Sequence, residues 1–145
     1  AAQAASDAQR PLTGAGEAEV RAMSTLLKGQ PLGAILASPY VRAQQTAALM
    51  REELGFAQDV GTAPRLTPDD QPGEVIDFLT ERTESELLLV SHQPLVSQLV
   101  SLLVHGHRAE HYPMPTAALA CIDMDFVAAG LGNLVQLSVP ADLSR

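Results

Sequence analysis

Two short aliphatic runs, each followed by a polar residue and a proline that opens a helical pattern, constrain this chain more than any other feature. Ala34-Ile35-Leu36-Ala37 lies between Gly33 and Ser38-Pro39, and the run over 86–91 leads into His92-Gln93-Pro94. Apolar runs this short, without polar alternation, suit strands covered on both faces, as in a parallel sheet beneath helices. After Pro39, residues Ala43, Ala47, Met50 and Leu54 share one helical face until Gly55 ends it. After Pro94, residues Leu95, Val96, Leu99, Val100, Leu102 and Leu103 leave little polar surface, so that helix should pack on the sheet. Proline is tolerated in a helix's first turn, where its missing N–H would have had no partner.

The other segments extend the pattern. Thr13 is a good N-cap, and Val20, Met23 and Leu27 with Ala15, Ala18, Ala22 and Leu26 predict a helix over 14–28, stopped by Gly29. The stretch 56–73 holds Gly61, Pro64, Pro68 and Pro72 and reads as a connection with a short strand at 59–61. Val75, Ile76 and Leu79 then resume the helical period. The runs 117–124 and 134–139 predict a hairpin around the turn at 129–133. The expectation is a single α/β domain over 1–145, a three-layer sandwich with a mainly parallel sheet flanked by helices and an antiparallel edge.

Charge and composition narrow the function. Seventeen acidic residues against nine basic ones give a net charge of −8, and no Lys or Arg run offers a patch for nucleic acid or an anionic membrane. The longest aliphatic run, Leu87-Leu88-Leu89-Val90, is far below the ~20 residues of a membrane span. One cysteine, Cys121, excludes an internal disulfide framework and reads as a buried strand residue. The opening Ala1-Ala2-Gln3-Ala4-Ala5-Ser6-Asp7 has no initiator methionine, cationic stretch or apolar run. It does not read as a signal peptide, so a cytoplasmic protein with omitted upstream residues is expected.

In open α/β sheets, ligands bind beyond the carboxyl ends of the strands, where helix N-termini offer free N–H groups to anions. Arg42 lies in the first turn of the helix after Pro39, on a face with Gln45 and Thr46. A cation there opposes the helix dipole by up to about 1 kcal/mol, which either a bound anion or a solvated salt bridge would explain. His92, at a strand end expected to face solvent, is either a catalytic group or an imidazole bonded to a carbonyl. His105, His107 and His111 could be metal ligands, yet they lack a fourth partner and read as a substrate-facing loop. Gly14-Ala15-Gly16 has neither a third glycine nor a preceding strand, so it is no dinucleotide fingerprint. Ser91 beside His92 is no nucleophile elbow.

The segment Ser38-Pro39-Tyr40-Val41-Arg42-Ala43-Gln44-Gln45-Thr46, together with Val90-Ser91-His92 closing a strand, resembles the histidine phosphatase superfamily. Arg10-Pro11-Leu12-Thr13 with Gly16, and Met114-Pro115-Thr116-Ala117-Ala118-Leu119-Ala120-Cys121, resemble its small bacterial SixA-type phosphohistidine phosphatases. The resemblance implies a phosphoglycerate mutase-like fold and transfer of a phosphoryl group from a protein phosphohistidine to an enzyme histidine, followed by hydrolysis, with no metal or other cofactor. It implies that Arg42 and His92 are catalytic, donating to the phosphoryl oxygens, with Arg10 a further phosphate-binding residue. The implied partner is the phosphotransfer domain of a sensor histidine kinase.

The superfamily's Arg-His-Gly triplet, which carries the nucleophilic histidine at the end of the first strand, is absent, and the four histidines are His92, His105, His107 and His111. The sequence starts at what the resemblance makes the following loop, so the expectation is a domain given without its first strand. Asp69, Asp70 and Glu74 form no recognisable proton-donor motif. That suits a phosphohistidine substrate, whose imidazole can leave neutral, unlike an alkoxide. A small phosphomonoesterase of the same superfamily and a noncatalytic phosphoprotein-binding module are the alternatives.

Overall fold

A computed structural model describes residues 6–143. Three parallel strands, β1 (Ala34–Ala37), β2 (Gly61–Thr62) and β3 (Leu87–Val90), form a sheet in the order β2-β1-β3. β4 (Leu119–Asp123) and β5 (Asn133–Ser138) pair antiparallel. Four helices accompany them: α1 (Gly14–Ser24), α2 (Val41–Leu54), α3 (Pro72–Thr80) and α4 (Leu95–His105). The helix expected over 14–28 ends its α-helical part at Ser24, and residues Thr25–Leu27 tighten into a 3-10 turn. Thr13 caps α1 as expected, its Oγ1 accepting the Gly16 N–H at 3.0 Å.

β1 is buried at all four positions and divides its side chains between two cores. Ile35 and Ala37 pack with Val20 and Met23 of α1 and Ala47 and Met50 of α2. Ala34 and Leu36 pack with Val75, Ile76 and Leu79 of α3 and Leu95, Leu99 and Leu103 of α4. This division is the period-2 alternation of a strand covered on both faces, and it produces the helix–sheet–helix layering. Gly61 fits closely against β1, since a Cβ there would come within 2.7 Å of Leu36 Cδ2.

The hairpin extends the middle layer: Ala117 and Leu119 meet the α1/α2 core, while Ile122, Met124 and Val127 meet the α3/α4 core. The antiparallel edge therefore exists, with one correction to its attachment. Among the described residues β4 and β5 pair only with each other, and β3 pairs only with β1. One side of β3 is left as an open edge. Cys121 is half-buried rather than buried, and burial, followed by Asp123 and Glu86, pushes its thiol pKa up.

Candidate active site

β1 is the strand at which the chain changes direction across the sheet, with β2 on one side and β3 on the other. At such a switch point, the connections leaving two adjacent strand ends run opposite ways and open a crevice. Registered pairing sets Ala37 beside Val90, and the Ser38 N–H donates to the Val90 carbonyl at 2.9 Å. The residues just beyond, Ser38 to Arg42 and Ser91 to Gln93, therefore meet.

Ser38 is fully buried, and its Oγ lies 2.8 Å from Nε2 of His92. The same Oγ accepts the Tyr40 N–H at 3.2 Å, so one hydroxyl bonds both the His92 ring and the backbone at the entry to α2. The Tyr40 ring lies 4.9 Å from the His92 ring, and the Arg42 guanidinium carbon lies 5.3 Å from the Tyr40 centroid. Arg42 and His92 thus flank one tyrosine. Ser91 points elsewhere, donating to the Leu66 carbonyl at 2.6 Å.

His92 departs from expectation in exposure. The sequence predicts a solvent-facing imidazole, whereas the residue is only 8% exposed, because Ser38 and Tyr40 close over it. Burial first, and then the nearby Arg42 charge, lower its pKa to about 4, with Asp7 acting weakly the other way. The ring is neutral at pH 7 and offers an N–H rather than a charge.

Arg42 does lie in the first turn of α2, and its own partner is Asp7. Nη1 donates to the Asp7 backbone carbonyl at 2.7 Å, and Nη2 to Asp7 Oδ2 at 3.2 Å. Arg10 donates to the other carboxylate oxygen of Asp7, so it joins Arg42 through Asp7 and makes no bond to His92. Asp7 stands in a 3-10 turn (Asp7–Gln9) held against α2, where Gln45 Oε1 accepts the Leu12 N–H at 2.7 Å. Thr46, expected beside Arg42, returns its hydroxyl to the Arg42 carbonyl at 2.8 Å. Ser38, Tyr40 and Asp7 were not legible as site residues, although Ser38 and Tyr40 lie inside the nine-residue motif.

The other candidates fall outside this cluster. The His105 ring stacks on His107 and Tyr112 and bonds to the Tyr112 hydroxyl, and no group of three metal-ligating side chains gathers among the described residues. Asp70 Oδ2 accepts from the Thr67 N–H and hydroxyl, and Glu74 pairs with Arg65. A separate groove of about 360 Å³ runs from Gln93 and Pro94 past Ser97 to Arg108 and His111, and His92 does not line it. No helix among the described residues is long and apolar enough to cross a membrane.

An arginine and a histidine meet at a parallel switch point, with a second arginine tied to the first through Asp7, and comparison with known proteins gives the class. The chain belongs to the histidine phosphatase superfamily: residues 2–67 match the model of its branch 1, and a close curated relative covers nearly the whole chain. That relative is the phosphohistidine phosphatase SixA of Escherichia coli K12, 37% identical over 139 residues, covering 92% of this chain and 84% of its own. The solved structure of protein histidine phosphatase SixA complexed with tungstate matches with a TM-score of 0.84 at 36% identity, over 99% of this chain and 92% of that one. The alpha-ribazole phosphatase of Shigella flexneri, 21% identical, shares the fold with a TM-score of 0.77 over 94% of this chain and 88% of its own. The expected phosphoglycerate mutase-like fold is the observed one.

Proposed function

We propose that this protein is a phosphohistidine phosphatase that removes the phosphoryl group from a phosphorylated histidine on a signalling phosphotransfer protein in the cytoplasm. The observation that carries the reading is the meeting of Arg42 and His92 around Tyr40 at the switch point, from strands far apart in sequence. Arg42 and Arg10 supply positive charge, and neutral His92 donates an N–H, to the equatorial oxygens where transition-state charge spreads. No metal is needed for that charge stabilisation. The likeness to SixA, a protein histidine phosphatase, supports a polypeptide substrate bearing phosphohistidine.

The nucleophile is assigned to a histidine of an Arg-His-Gly triplet on a strand lying along the open edge of β3. Its ring nitrogen attacks phosphorus as the substrate's P–N bond breaks, and the substrate imidazole leaves neutral when its other nitrogen is protonated. Water then attacks the phosphoenzyme, releasing inorganic phosphate and regenerating the histidine. The open β3 edge supports this placement, because an all-apolar strand paired on one side has room for another.

The test is phosphate release from a histidine-phosphorylated phosphotransfer domain by the chain extended at its N-terminus with a strand ending in Arg-His-Gly, assayed in EDTA. Turnover that disappears with Arg42→Ala is expected. Comparable rates on phosphoserine or sugar phosphates would make the protein a phosphomonoesterase. Tight binding of the phosphorylated domain without turnover would make it a noncatalytic phosphoprotein-binding module.

A further inference from the structure

We propose that Asp7 is a positioning residue for phosphate binding: it holds Arg42 and Arg10 together as an oriented pair of cations facing the ligand. The inference rests on the reading of Arg42 and His92 as a phosphate site.

Two guanidinium groups brought to one anion repel each other when the anion is absent, and long arginine side chains lose rotamer entropy on being ordered. Asp7 counters both effects, its Oδ1 accepting from Arg10 and its Oδ2 from Arg42. Its backbone carbonyl takes the second terminal nitrogen of Arg42, Nη1, at 2.7 Å. Arg42 is thus fixed from its Nη1/Nη2 end while Tyr40 lies 5.3 Å from its guanidinium carbon. The Nε–H and the remaining Nη hydrogens stay available, and they form the edge that receives a phosphate oxygen pair.

The clamp is itself anchored. Gln45, one helical turn along α2 from Arg42, accepts the Leu12 N–H, and the Gln9 N–H closes the turn on the Ser6 carbonyl at 2.9 Å. Hydrogen bonding from Arg42 holds the Asp7 carboxyl below its ordinary range, so it stays ionised wherever the protein is folded near neutrality. The opposite possibility is that Asp7 competes with phosphate for Arg42. It predicts the opposite sign, and so the sign of one substitution decides between them.

The experiment is calorimetric titration with inorganic phosphate, at fixed ionic strength, of the chain extended at its N-terminus with the strand ending in Arg-His-Gly, for the wild type, Asp7→Asn, Asp7→Glu and Arg42→Ala. Asp7→Asn makes the chain less negative by one charge, which through the field alone would tighten anion binding. Positioning predicts that Asp7→Asn instead weakens binding about tenfold, one lost charge-assisted clamp, and that Asp7→Glu recovers part of the loss. In the same samples the Arg42 side-chain Nε–H resonance should be sharp in the wild type and broadened in Asp7→Asn, with the amide spectrum otherwise unchanged. Equal or tighter phosphate binding by Asp7→Asn, with Arg42→Ala still abolishing it, would overturn the role of Asp7 alone. Wild-type binding that is absent, or indifferent to Arg42→Ala, would remove the phosphate site and this inference with it.

Discussion

Ser38 and His92, 54 positions apart, meet with Oγ 2.8 Å from Nε2, and this contact fixes the imidazole at the junction of β1 and β3. The partner is a buried side chain whose other bond goes to the Tyr40 N–H, so one hydroxyl ties together the end of one strand, the entry to α2 and the proposed phosphate ligand.

Ser38→Ala leaves both His92 Nε2 and the Tyr40 N–H without their protein partner. Losing a buried hydrogen-bond partner costs about 1–3 kcal/mol, so urea unfolding should show a loss in that range. Phosphate affinity should fall as well, since the ring loses its anchor. A variant as stable as the wild type would show that water replaces the hydroxyl at no cost.

Stability should also depend on pH through His92. Its pKa is about 4 in the folded protein, against an ordinary 6.5, so between these values the unfolded chain binds more protons than the folded one. The contribution is therefore complete above about pH 6.5 and is lost as pH falls toward 4, with a full amplitude of about 3 kcal/mol. His92→Gln keeps a hydrogen-bonding group near Ser38 and cannot titrate. Its stability should fall less steeply than the wild type's over this window, and parallel curves would refute the depressed pKa. Phosphate, by offsetting the Arg42 charge, should move the His92 titration upward in NMR.

The strands and helices were legible because their apolar runs and caps are local, and the buried sides of α2, α3 and α4 follow from spacing alone. The meeting of Arg42 and His92 was legible because each follows a strand, and the ends of a parallel sheet must lie together. The burial of His92 was not, because Tyr40 and Ser38 reach it only after β1 and β3 pair. Nor was Asp7, which lies 35 positions from Arg42 in a three-residue turn without apolar periodicity. The pairing of β4 and β5 apart from the parallel strands was equally hidden, since a hairpin's sequence states its own register and not which edge it joins.

Gln45→Leu tests how the segment that carries Asp7 and Arg10 is held. The Leu12 N–H would lose its acceptor, Gln45 Oε1 at 2.7 Å, in a partly buried position, while the leucine keeps much of the volume. The expected cost is about 1 kcal/mol, with hydrogen exchange at the Leu12 amide faster by about tenfold or less. Unchanged Leu12 protection would mean that packing of Leu12 against the α1/α2 core, rather than Gln45, holds the segment.

Arg42→Lys separates charge from geometry at the proposed phosphate site. Lysine keeps the positive charge, yet its ammonium cannot donate to the Asp7 carbonyl and carboxylate from one rigid fork while offering a second edge to a ligand. Arg42→Ala removes charge and fork together. If positive charge alone binds the anion, lysine should restore most of the phosphate affinity that alanine loses. The geometry at Asp7 argues for the other outcome, with lysine recovering only a small part of a loss of about ten- to a hundredfold, the scale of hydrogen bonds to a charged group. Calorimetry on both variants, with thermal melts to confirm that each remains folded, distinguishes them. A lysine variant that binds phosphate as the wild type does would reduce Arg42 to a point charge and remove the reason for its clamp.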